Sequence, residues 1–277
     1  MTVRVLVMVD GTVRDPQTPL LSVEDSAVVR GDGVFETLLV AGGVVRERQA
    51  HLARLARSAA ASDLPGPDEG AWRRCIAVVQ REWNSDEDLV VRLVLTRGRE
   101  GSDTPTAYAT GAPVPPTALR QREHGVSALR LERGYPSDLA ARAPWLLLGA
   151  KTLSYAANMA ALRYAAGRGA DDVVFTDADG FVLEGPTSTV VVADGGVLRT
   201  PPAEIGILLG TTQEALFRAA SGAGWECRVE PIPAADLDGA DGVWLLSSVR
   251  LLARVHTLDG VALASAGDTA QLAELLS

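Results

Sequence analysis

The amino-acid sequence predicts an α+β protein of two domains, with antiparallel or mixed sheets. Short apolar runs are separated by Asp-Gly and Gly-Gly turns, which favours hairpins over parallel crossovers. A few longer stretches carry apolar residues at helical spacing. The chain has 277 residues, more than one ordinary core usually requires. These three observations together predict the fold class.

The first half of the chain predicts strands with two helices. Val3–Val9 alternates weakly and ends at Asp10-Gly11, a dipeptide typical of hairpin turns. Arg48–Ser62 places apolar residues on one helical face. Pro113–Pro116 is rich in breakers and indicates a linker, so we expect a small domain over 1–117 and a large one over 118–277. The other predicted elements of this half are a hairpin over Val34–Val45, a helix over Ala71–Trp83, and strands over Leu89–Leu95 and Ala107–Ala112.

The second half predicts further hairpins and three helices. Ser154–Arg168 has helical character and is followed by Gly169, a common residue after a helix end. Thr211–Ala223 is predicted as a helix that opens at Gly210-Thr211-Thr212. The remaining predictions are hairpins over Val173–Leu183 and Thr189–Thr200, strands over Val126–Leu131, Cys227–Ile232, Val243–Leu246 and Leu252–Thr257, and a terminal helix over Ala266–Leu276.

Composition narrows the class of partner. A hydrophobic fraction of 47% with 22% charged residues is ordinary for a soluble globular protein. The net charge of −9 argues against nucleic acid as the main partner. No run of about 18 apolar residues predicts a membrane span, and the N-terminus reaches Asp10-Gly11 too soon for a secretory signal. Cys75 and Cys227 lie far apart, which favours reduced thiols in a cytoplasmic protein.

Several common functional motifs are absent from the sequence. Gly31-Asp32-Gly33 lacks the third glycine of a dinucleotide-binding loop, and no GxxxxGK[ST] phosphate-binding loop occurs. His51, His124 and His256 have no metal-ligand spacing, so we expect no metal site. The segment GPTSTV at 185–190 lacks the GxSxG pattern of a hydrolase.

Lysine usage is unusual. The chain holds 26 lysines and arginines, and only Lys151 is a lysine. One explanation is that GC-rich coding favours arginine and one lysine survived by chance. The other is that an amine is required there, because arginine stays protonated and cannot serve as an amine nucleophile. Composition alone does not choose between them.

Four other positions carry weaker signals. Gly210-Thr211-Thr212 opens a helix, and helix N-termini bind anions, although a threonine N-cap is the more ordinary reading. Arg54 lies on the early helix and Glu184 follows an apolar strand, where solvated side chains are common. Tyr155 stands one helical turn after Lys151, where a core tyrosine is equally ordinary.

These positions fall in a series of short segments along the chain, which are GDGVFETL at 31–38, HLARL at 51–55, KTLSYAAN at 151–158, Leu183–Gly185 with Ser188-Thr189, and GILLGTTQ at 206–213. Taken together, the segments resemble those of the fold-type IV enzymes that use pyridoxal 5′-phosphate (PLP). That family includes branched-chain aminotransferases, D-amino-acid aminotransferases and 4-amino-4-deoxychorismate lyases. The resemblance implies a small N-terminal α/β domain, a larger C-terminal mixed β-barrel-like domain, and a homodimer.

The resemblance also implies a role for each matching residue. Lys151 would hold the cofactor covalently and move protons, and Glu184 would pair with the pyridine nitrogen. Arg54 would grip the phosphate. The remaining implied contacts are Gly210, Thr211, Thr212 and Ser248 at the phosphate, Leu208 against the ring face, and Tyr155 near the ring hydroxyl.

The substrate is less sharply indicated. GDGVFETL resembles the lyase and D-amino-acid branches more than the branched-chain branch. After Thr96-Arg97-Gly98 the sequence lacks the Arg-x-His pair of D-amino-acid aminotransferases, which counts against D-amino acids. Arg97 and Arg99 stay candidates for the substrate carboxylate, or else are solvated. We therefore expect an aminodeoxychorismate lyase, with a class IV aminotransferase for branched-chain or D-amino acids or amines as the alternative. A non-catalytic small-molecule-binding protein is the remote third reading.

Overall fold

The computed structural model describes residues 2–66, 68–265 and 267–276 and divides into two compact units. The first unit comprises Met1–Pro116 together with Ala150–Tyr155. The second comprises Thr117–Gly149 together with Ala156–Ser277. Each unit combines helices with its own sheet, which confirms the predicted α+β class.

The first unit is an antiparallel sheet with two long helices. Its strands are β1 (Val5–Met8), β2 (Val13–Arg14), β3 (Gly33–Ala41), β4 (Val44–Val45), β5 (Leu89–Thr96) and β6 (Thr106–Pro113), and its helices are α1 (Ser26–Arg30), α2 (Arg48–Ala61) and α3 (Glu69–Glu82). The sheet order is β2-β1-β6-β5-β3-β4, and every pairing in it is antiparallel. Hairpin turns between short strands predict this pattern.

The core of the first unit forms where one face of the sheet meets α2 and α3. Val34 and Leu38 point to this face from β3, and Leu55 and Ile76 reach it from the two helices. The Asp68 side chain caps α3 by accepting a hydrogen bond from the Ala71 amide at 2.6 Å. The apolar spacing that predicts both helices is therefore the spacing that fills this core.

The second unit is a mixed sheet with helices packed on it. Its helices are α4 (Pro116–His124), α5 (Leu139–Arg142), α6 (Ala156–Ala166), α7 (Thr211–Gly222), α8 (Asp236–Gly239) and α9 (Thr269–Leu275), and its strands are β7 (Val126–Glu132), β8 (Asp172–Thr176), β9 (Thr189–Asp194), β10 (Val197–Thr200), β11 (Glu226–Val229), β12 (Gly242–Ser247), β13 (Leu251–Leu258) and β14 (Val261–Ala262). The order is β11-β10-β9-β12-β13-β7-β8, with β14 paired to β13. The β10–β11, β7–β13 and β7–β8 pairs are parallel.

Two cores flank this sheet. Residues on one face of β9 and β12, such as Val191 and Trp244, pack with Leu216 of α7 and Leu272 of α9. The alternate residues of the same strands, such as Val190, belong to a separate core. This arrangement explains the long apolar runs of β9 and β12, since both of their faces are buried.

The structure corrects several predicted boundaries. Pro116, within the stretch predicted as a linker, begins α4, which proline tolerates in a first helical turn. The helix after Lys151 begins at Ala156 and not at Ser154. Phe181–Leu183 forms only isolated bridges, although Leu183 still hydrogen-bonds to Phe175. Ala266, the predicted start of the last helix, lies outside the described residues. Within the described ranges, none of the helices has both the length and the apolar character of a membrane span.

Candidate active site

The Lys151 segment joins the first unit as an added strand on β3. The Phe35 amide donates to the Lys151 carbonyl at 3.0 Å, and the Leu153 amide donates to the Gly33 carbonyl at 2.8 Å. The short strand β4 pairs with the opposite end of β3, at Val40 and Ala41. The backbone around Lys151 is thus held by two sheet hydrogen bonds although it belongs to no named strand.

Helix α2 holds the same segment from a second side. The Lys151 amide donates to Oγ of Ser58 at 3.0 Å, and Ser58 is buried on α2. Arg54 lies four residues before Ser58 and therefore shares its face of the helix. The structure thus brings Arg54 and Lys151, two of the predicted site residues, to one face of α2.

Arg54 forms a buried ion cluster with Glu36 and His51. The Nε of Arg54 donates to Oε1 of Glu36 at 2.6 Å and its Nη2 donates to Oε2 at 2.9 Å, while Nδ1 of His51 lies 2.7 Å from Oε2. Burial alone would raise the pKa of Glu36, but the charge and hydrogen bonds of Arg54, with those of His51, outweigh it and lower the pKa to about 2. Glu36 therefore stays anionic and fixes the Arg54 guanidinium by a two-point contact.

The Lys151 amine lies against an aromatic pair. Its Nζ is 4.5 Å from the centroid of Phe35 and 5.8 Å from that of Tyr155. The two rings meet edge to face at 5.4 Å. The helical spacing predicted between Lys151 and Tyr155 is wrong, because α6 begins only at Ala156. The two side chains meet because both contact Phe35.

Arg92 was not singled out from the sequence, and it reaches the same ring. It lies on β5 opposite Thr37 of β3, so it shares a sheet face with Phe35. Its guanidinium carbon is 5.8 Å from the Phe35 centroid, and the side chain is exposed. One aromatic ring therefore carries an amine and a guanidinium within 6 Å of its centre.

Glu184 is held in the second unit by two donors. Nη1 of Arg133 donates to Oε1 at 2.9 Å, and the Leu208 amide donates to Oε2 at 3.0 Å. A carboxylate offers about four acceptor sites, so these two bonds alone do not exhaust it. The structure thus brings Glu184 and Leu208, both predicted site residues, into direct contact.

The start of α7 holds the residues predicted to bind the phosphate, a segment that we call the phosphate cup. Gly210 is its N-cap, and Thr211, Thr212 and Gln213 are buried in its first turn. A Cβ on Gly210 would collide with Oγ1 of Thr189, so the glycine lets the chain pass close to β9. A helix N-terminus presents backbone donors and the positive end of the helix dipole, which suits a phosphate.

Ser248 follows the end of β12, the strand that pairs with β9. Leu246 pairs with Thr189, and Ser248 follows two residues later, just past the end of β12. Ser188, next to Thr189, is buried, and its Oγ has no hydrogen-bond partner among the described residues. A polar ligand or a water could supply the hydrogen bond that this buried hydroxyl lacks.

Arg97 and Arg99, the predicted substrate residues, point to other partners. Nε and Nη2 of Arg97 donate to Asp32 at 2.5 and 3.2 Å, while Nη2 also donates to the Ser62 carbonyl and Nη1 to the Asp63 carbonyl. Arg99 binds Glu24 at 2.7 Å on the surface. These contacts give no geometric support to a substrate role for either residue, which stays a prediction.

The solved structures to which this chain is similar share its fold. A PLP-bound structure described as a hypothetical aminotransferase from Mycobacterium tuberculosis is 49% identical, with a TM-score of 0.96 over 98% of this chain and 96% of its own. A fold IV-transaminase from Curtobacterium pusillum is 41% identical, with a TM-score of 0.93 over 99% of both chains. The fold is therefore that of the fold-type IV enzymes, which use PLP.

The family model for amino-transferase class IV matches residues 33–258, so the chain belongs to the class IV aminotransferase family. It is also 50% identical over 264 residues to a protein of Mycobacterium tuberculosis named bifunctional aminodeoxychorismate lyase / D-amino acid transaminase. That match covers 92% of this chain and 91% of the relative. The protein is a PLP-dependent enzyme.

Each unit, taken by itself, holds groups that suit this cofactor. PLP carries a phosphate, a ring nitrogen and an aldehyde. The second unit offers the α7 start, the Glu184 carboxylate and the orphaned Ser188 hydroxyl. The first unit offers the Lys151 amine, which lies over the Phe35 ring, and the Arg54 guanidinium, which Glu36 holds in place. Among the described residues, His, Cys, Asp and Glu side chains form no group of three or more suited to a metal ion.

Proposed function

We propose that this enzyme is a 4-amino-4-deoxychorismate lyase, which releases pyruvate and forms 4-aminobenzoate. The observation that carries the proposal is the 50% identity, over 92% of the chain, to a relative whose name includes this activity. The bound cofactor supplies an electron sink for the substrate carbon that bears the amine. The chain itself must supply an anchor, a proton carrier and a grip on the substrate.

Lys151 is the proposed covalent anchor and proton carrier. Its amine removes the proton from the ring carbon that bears the substrate nitrogen. The bond between the neighbouring ring carbon and the ether oxygen then breaks. Its electron pair leaves with the oxygen, so the ring becomes aromatic and the three-carbon group departs as the enolate of pyruvate. This enolate becomes pyruvate by taking up one proton at its CH2 carbon, which balances the proton that Lys151 removed. No second substrate is consumed, and the atoms of 4-aminobenzoate and pyruvate add up to those of the substrate.

The other predicted site residues hold the cofactor in place in this proposal. Arg54 binds the phosphate in charge-assisted hydrogen bonds, and Glu184 pairs with the protonated ring nitrogen. Tyr155 contacts the ring hydroxyl and Leu208 the ring face. The phosphate cup is completed by Gly210, Thr211, Thr212 and Ser248.

We further propose that Arg92 binds the ring carboxylate of the substrate. In 4-amino-4-deoxychorismate the amine and the ring carboxylate stand at opposite corners of a six-membered ring. Lys151 and Arg92 both lie within 6 Å of the centre of the Phe35 ring, so the first unit holds a guanidinium near the amine that would act at the substrate nitrogen. We expect Arg92→Leu to raise KM for this substrate roughly tenfold or more, the cost of one charged hydrogen bond.

Steady-state kinetics check this expectation. Arg14→Leu is the matched control, because Arg14 is an exposed strand arginine of the same sheet. An unchanged KM in Arg92→Leu, or the same increase in Arg14→Leu, would remove Arg92 from the substrate site.

Transamination of D-amino acids is the second candidate, since the name of the same relative includes D-amino acid transaminase. The absence of a histidine soon after Arg97 counts against it. The deciding assay supplies aminodeoxychorismate without any keto acid and measures 4-aminobenzoate and pyruvate. Equal amounts of both products support the lyase. No 4-aminobenzoate, with amino transfer from D-alanine to 2-oxoglutarate, would move the assignment to the aminotransferase.

We also propose a homodimer in the cytoplasm. The resemblance to fold-type IV enzymes implies the dimer, and Trp145 and Leu146 expose 74% and 48% of their surface, as interface residues do in an isolated chain. Both cysteines are free thiols, in keeping with a reducing compartment. Sedimentation equilibrium of the holoenzyme at twice the chain mass is the expected result, and a monomer would contradict the dimer.

A further inference from the structure

Arg133 lies directly after β7 and contacts the proposed cofactor residue Glu184. Besides its 2.9 Å hydrogen bond to Oε1, its guanidinium carbon is 5.1 Å from the ring centroid of Phe175 and 5.6 Å from that of Tyr135. The two charged side chains are 24% and 13% exposed. The cation is therefore held by a carboxylate and two aromatic rings at once.

The sheet fixes the positions of both partners. The Arg133 amide donates to the Thr176 carbonyl at 2.8 Å, and the Phe175 amide donates to the Glu184 carbonyl at 2.8 Å. Both residues are thus anchored to the end of β8. An ion pair whose backbones are already fixed loses less side-chain entropy than a surface pair.

Glu184 adjoins apolar side chains, so its charge state depends on a neighbouring cation such as Arg133. Glu184 follows Leu183, and both Leu183 and Phe175 belong to a buried apolar cluster. A carboxylate among apolar groups is pushed towards its neutral form unless a cation lies beside it. Arginine supplies such a cation permanently, because it does not lose its proton. A neutral Glu184 would not attract a protonated ring nitrogen.

Tyr135 packs against this apolar cluster. Burial raises the pKa of Tyr135, the Arg133 charge opposes this and the Glu184 charge adds to it, so the phenol stays neutral. Its hydroxyl is buried and has no hydrogen-bond partner among the described residues. Arg133 is therefore the cation that the contacts of this cluster place against Glu184.

We propose that Arg133 is a positioning residue that acts through Glu184, keeping the carboxylate anionic and oriented to receive the ring nitrogen of PLP. The bond from the Leu208 amide fixes the other oxygen, so Arg133 and Leu208 together set the carboxylate plane. This inference rests on the proposed role of Glu184. It adds a residue that matches none of the sequence motifs above.

The test measures cofactor binding by the stripped enzyme and not turnover. Arg133→Met removes the charge but keeps an apolar stem, and Arg133→Lys keeps the charge but loses the planar stacking. The matched control is Arg199→Met, because Arg199 forms a comparable ion pair with Glu230 and Asp236 and is 16% exposed. Each apoenzyme is titrated with PLP, and the visible absorbance of the bound cofactor is recorded as a function of pH.

Arg133→Met is expected to weaken PLP binding about tenfold, the lower end of the loss seen when an outer partner is removed at metal sites. It is also expected to shift the pH dependence of the cofactor absorbance. For Arg133→Lys, we expect a PLP affinity and a pH profile between those of Arg133→Met and the wild type. Arg199→Met should bind PLP as the wild type does, even if its melting temperature falls. Wild-type affinity and pH profile in Arg133→Met would overturn the inference, as would an equal loss of affinity in Arg199→Met.

Glu184→Gln separates this inference from the proposal beneath it. If Glu184→Gln binds PLP like the wild type, the proposed role of Glu184 fails, and the role of Arg133 fails with it. If Glu184→Gln loses affinity while Arg133→Met does not, only the inference on Arg133 is wrong. None of these measurements uses a substrate, so a negative lyase assay would leave their outcome unchanged.

Discussion

Lys151 is the single lysine of the chain, and its amine lies 4.5 Å from the centre of the Phe35 ring. Lys151→Arg keeps the positive charge but loses the amine, because a guanidinium is not a useful nucleophile at neutral pH. We expect this variant to lose covalent cofactor and to lower kcat by about 10³-fold or more, as removal of a nucleophile does elsewhere.

Intact-mass spectrometry after borohydride reduction checks the covalent bond. Because the chain has one lysine, a cofactor-sized mass increase in the wild type has Lys151 as its only side-chain amine target. A mass increase or sustained turnover in Lys151→Arg would remove Lys151 from the mechanism. Lys151→Ala should be equally inactive.

The lowered pKa of Glu36 predicts that the free energy of unfolding falls at acidic pH. Its pKa is lowered from an ordinary 4.5 to about 2, so the folded state favours the ionised carboxylate. A carboxyl group of this kind stabilises the fold above about pH 4.5, and the contribution is lost as the pH falls towards 2. Glu36→Gln should remove this pH-dependent part and cost about 3–5 kcal/mol at neutral pH, because the buried Arg54 guanidinium loses the negative charge of its carboxylate partner.

Urea unfolding at a series of acidic and neutral pH values measures this free energy. Glu100→Gln is the control, since Glu100 forms an exposed pair with Arg30 and should cost less than about 1 kcal/mol. A pH dependence in Glu36→Gln that is parallel to that of the wild type would show that the cluster does not carry this stability.

The sequence indicated the chemically distinctive residues but not their partners. Lys151 stood out by composition, and Arg54, Glu184 and the α7 start by resemblance. The role of Glu36 was missed, although the sequence pattern of its strand indicated it. Glu36 lies at every-second-residue spacing from Val34 and Leu38 and therefore shares their core-facing side, where a buried carboxylate requires a cation. Arg133 carries no such pattern, because its contacts depend on the pairing of β7 with β8.

The contact of β3 with the Lys151 segment depends on Gly33. A Cβ built on Gly33 would lie 2.7 Å from the Leu95 carbonyl oxygen and 2.7 Å from Cδ1 of Leu153. Gly33→Ala must therefore displace backbone or the Lys151 segment, at a cost of about 1–3 kcal/mol. We expect lower stability together with weaker PLP binding, measured by thermal unfolding and by cofactor titration.

Gly66→Ala is the control, because a Cβ there has no described atom within 4 Å. Loss of stability in Gly33→Ala without any loss of cofactor affinity would show that the pairing is structural only. The comparison is informative because both glycines belong to the first unit and neither has a positive φ.

Most helices and strands could be predicted from the sequence, because apolar periodicity and Gly-containing turns are local signals. The boundary of α6 could not, since Ser154 and Tyr155 are held by contacts with Gly31 and Phe35 far away in the sequence. Pro116 belongs to the cluster of breakers that predicts a linker, and the cluster alone does not show which of its prolines stands in the first turn of α4. Ala150–Tyr155 joins the first unit for the same non-local reason.

For the whole molecule, the cofactor should stabilise the fold by mass action. PLP present at 100 times its Kd adds about 2.7 kcal/mol, which corresponds to roughly 5 °C in melting temperature for a chain of 277 residues. Removing PLP by dialysis against a carbonyl reagent should lower the melting temperature by that amount, and adding PLP back should restore it.

The phosphate contacts can be tested within the same experiment. Pyridoxal has the aldehyde and the ring but no phosphate, so it engages neither the proposed Arg54 contact nor the buried Thr211 and Thr212 at the start of α7. We expect it to raise the melting temperature of the stripped enzyme far less than PLP does. Lys151→Ala should keep part of the PLP stabilisation, because the phosphate and ring contacts are unchanged. Equal stabilisation by pyridoxal and PLP would mean that neither Arg54 nor the α7 start binds the phosphate, and the site would have to be reassigned.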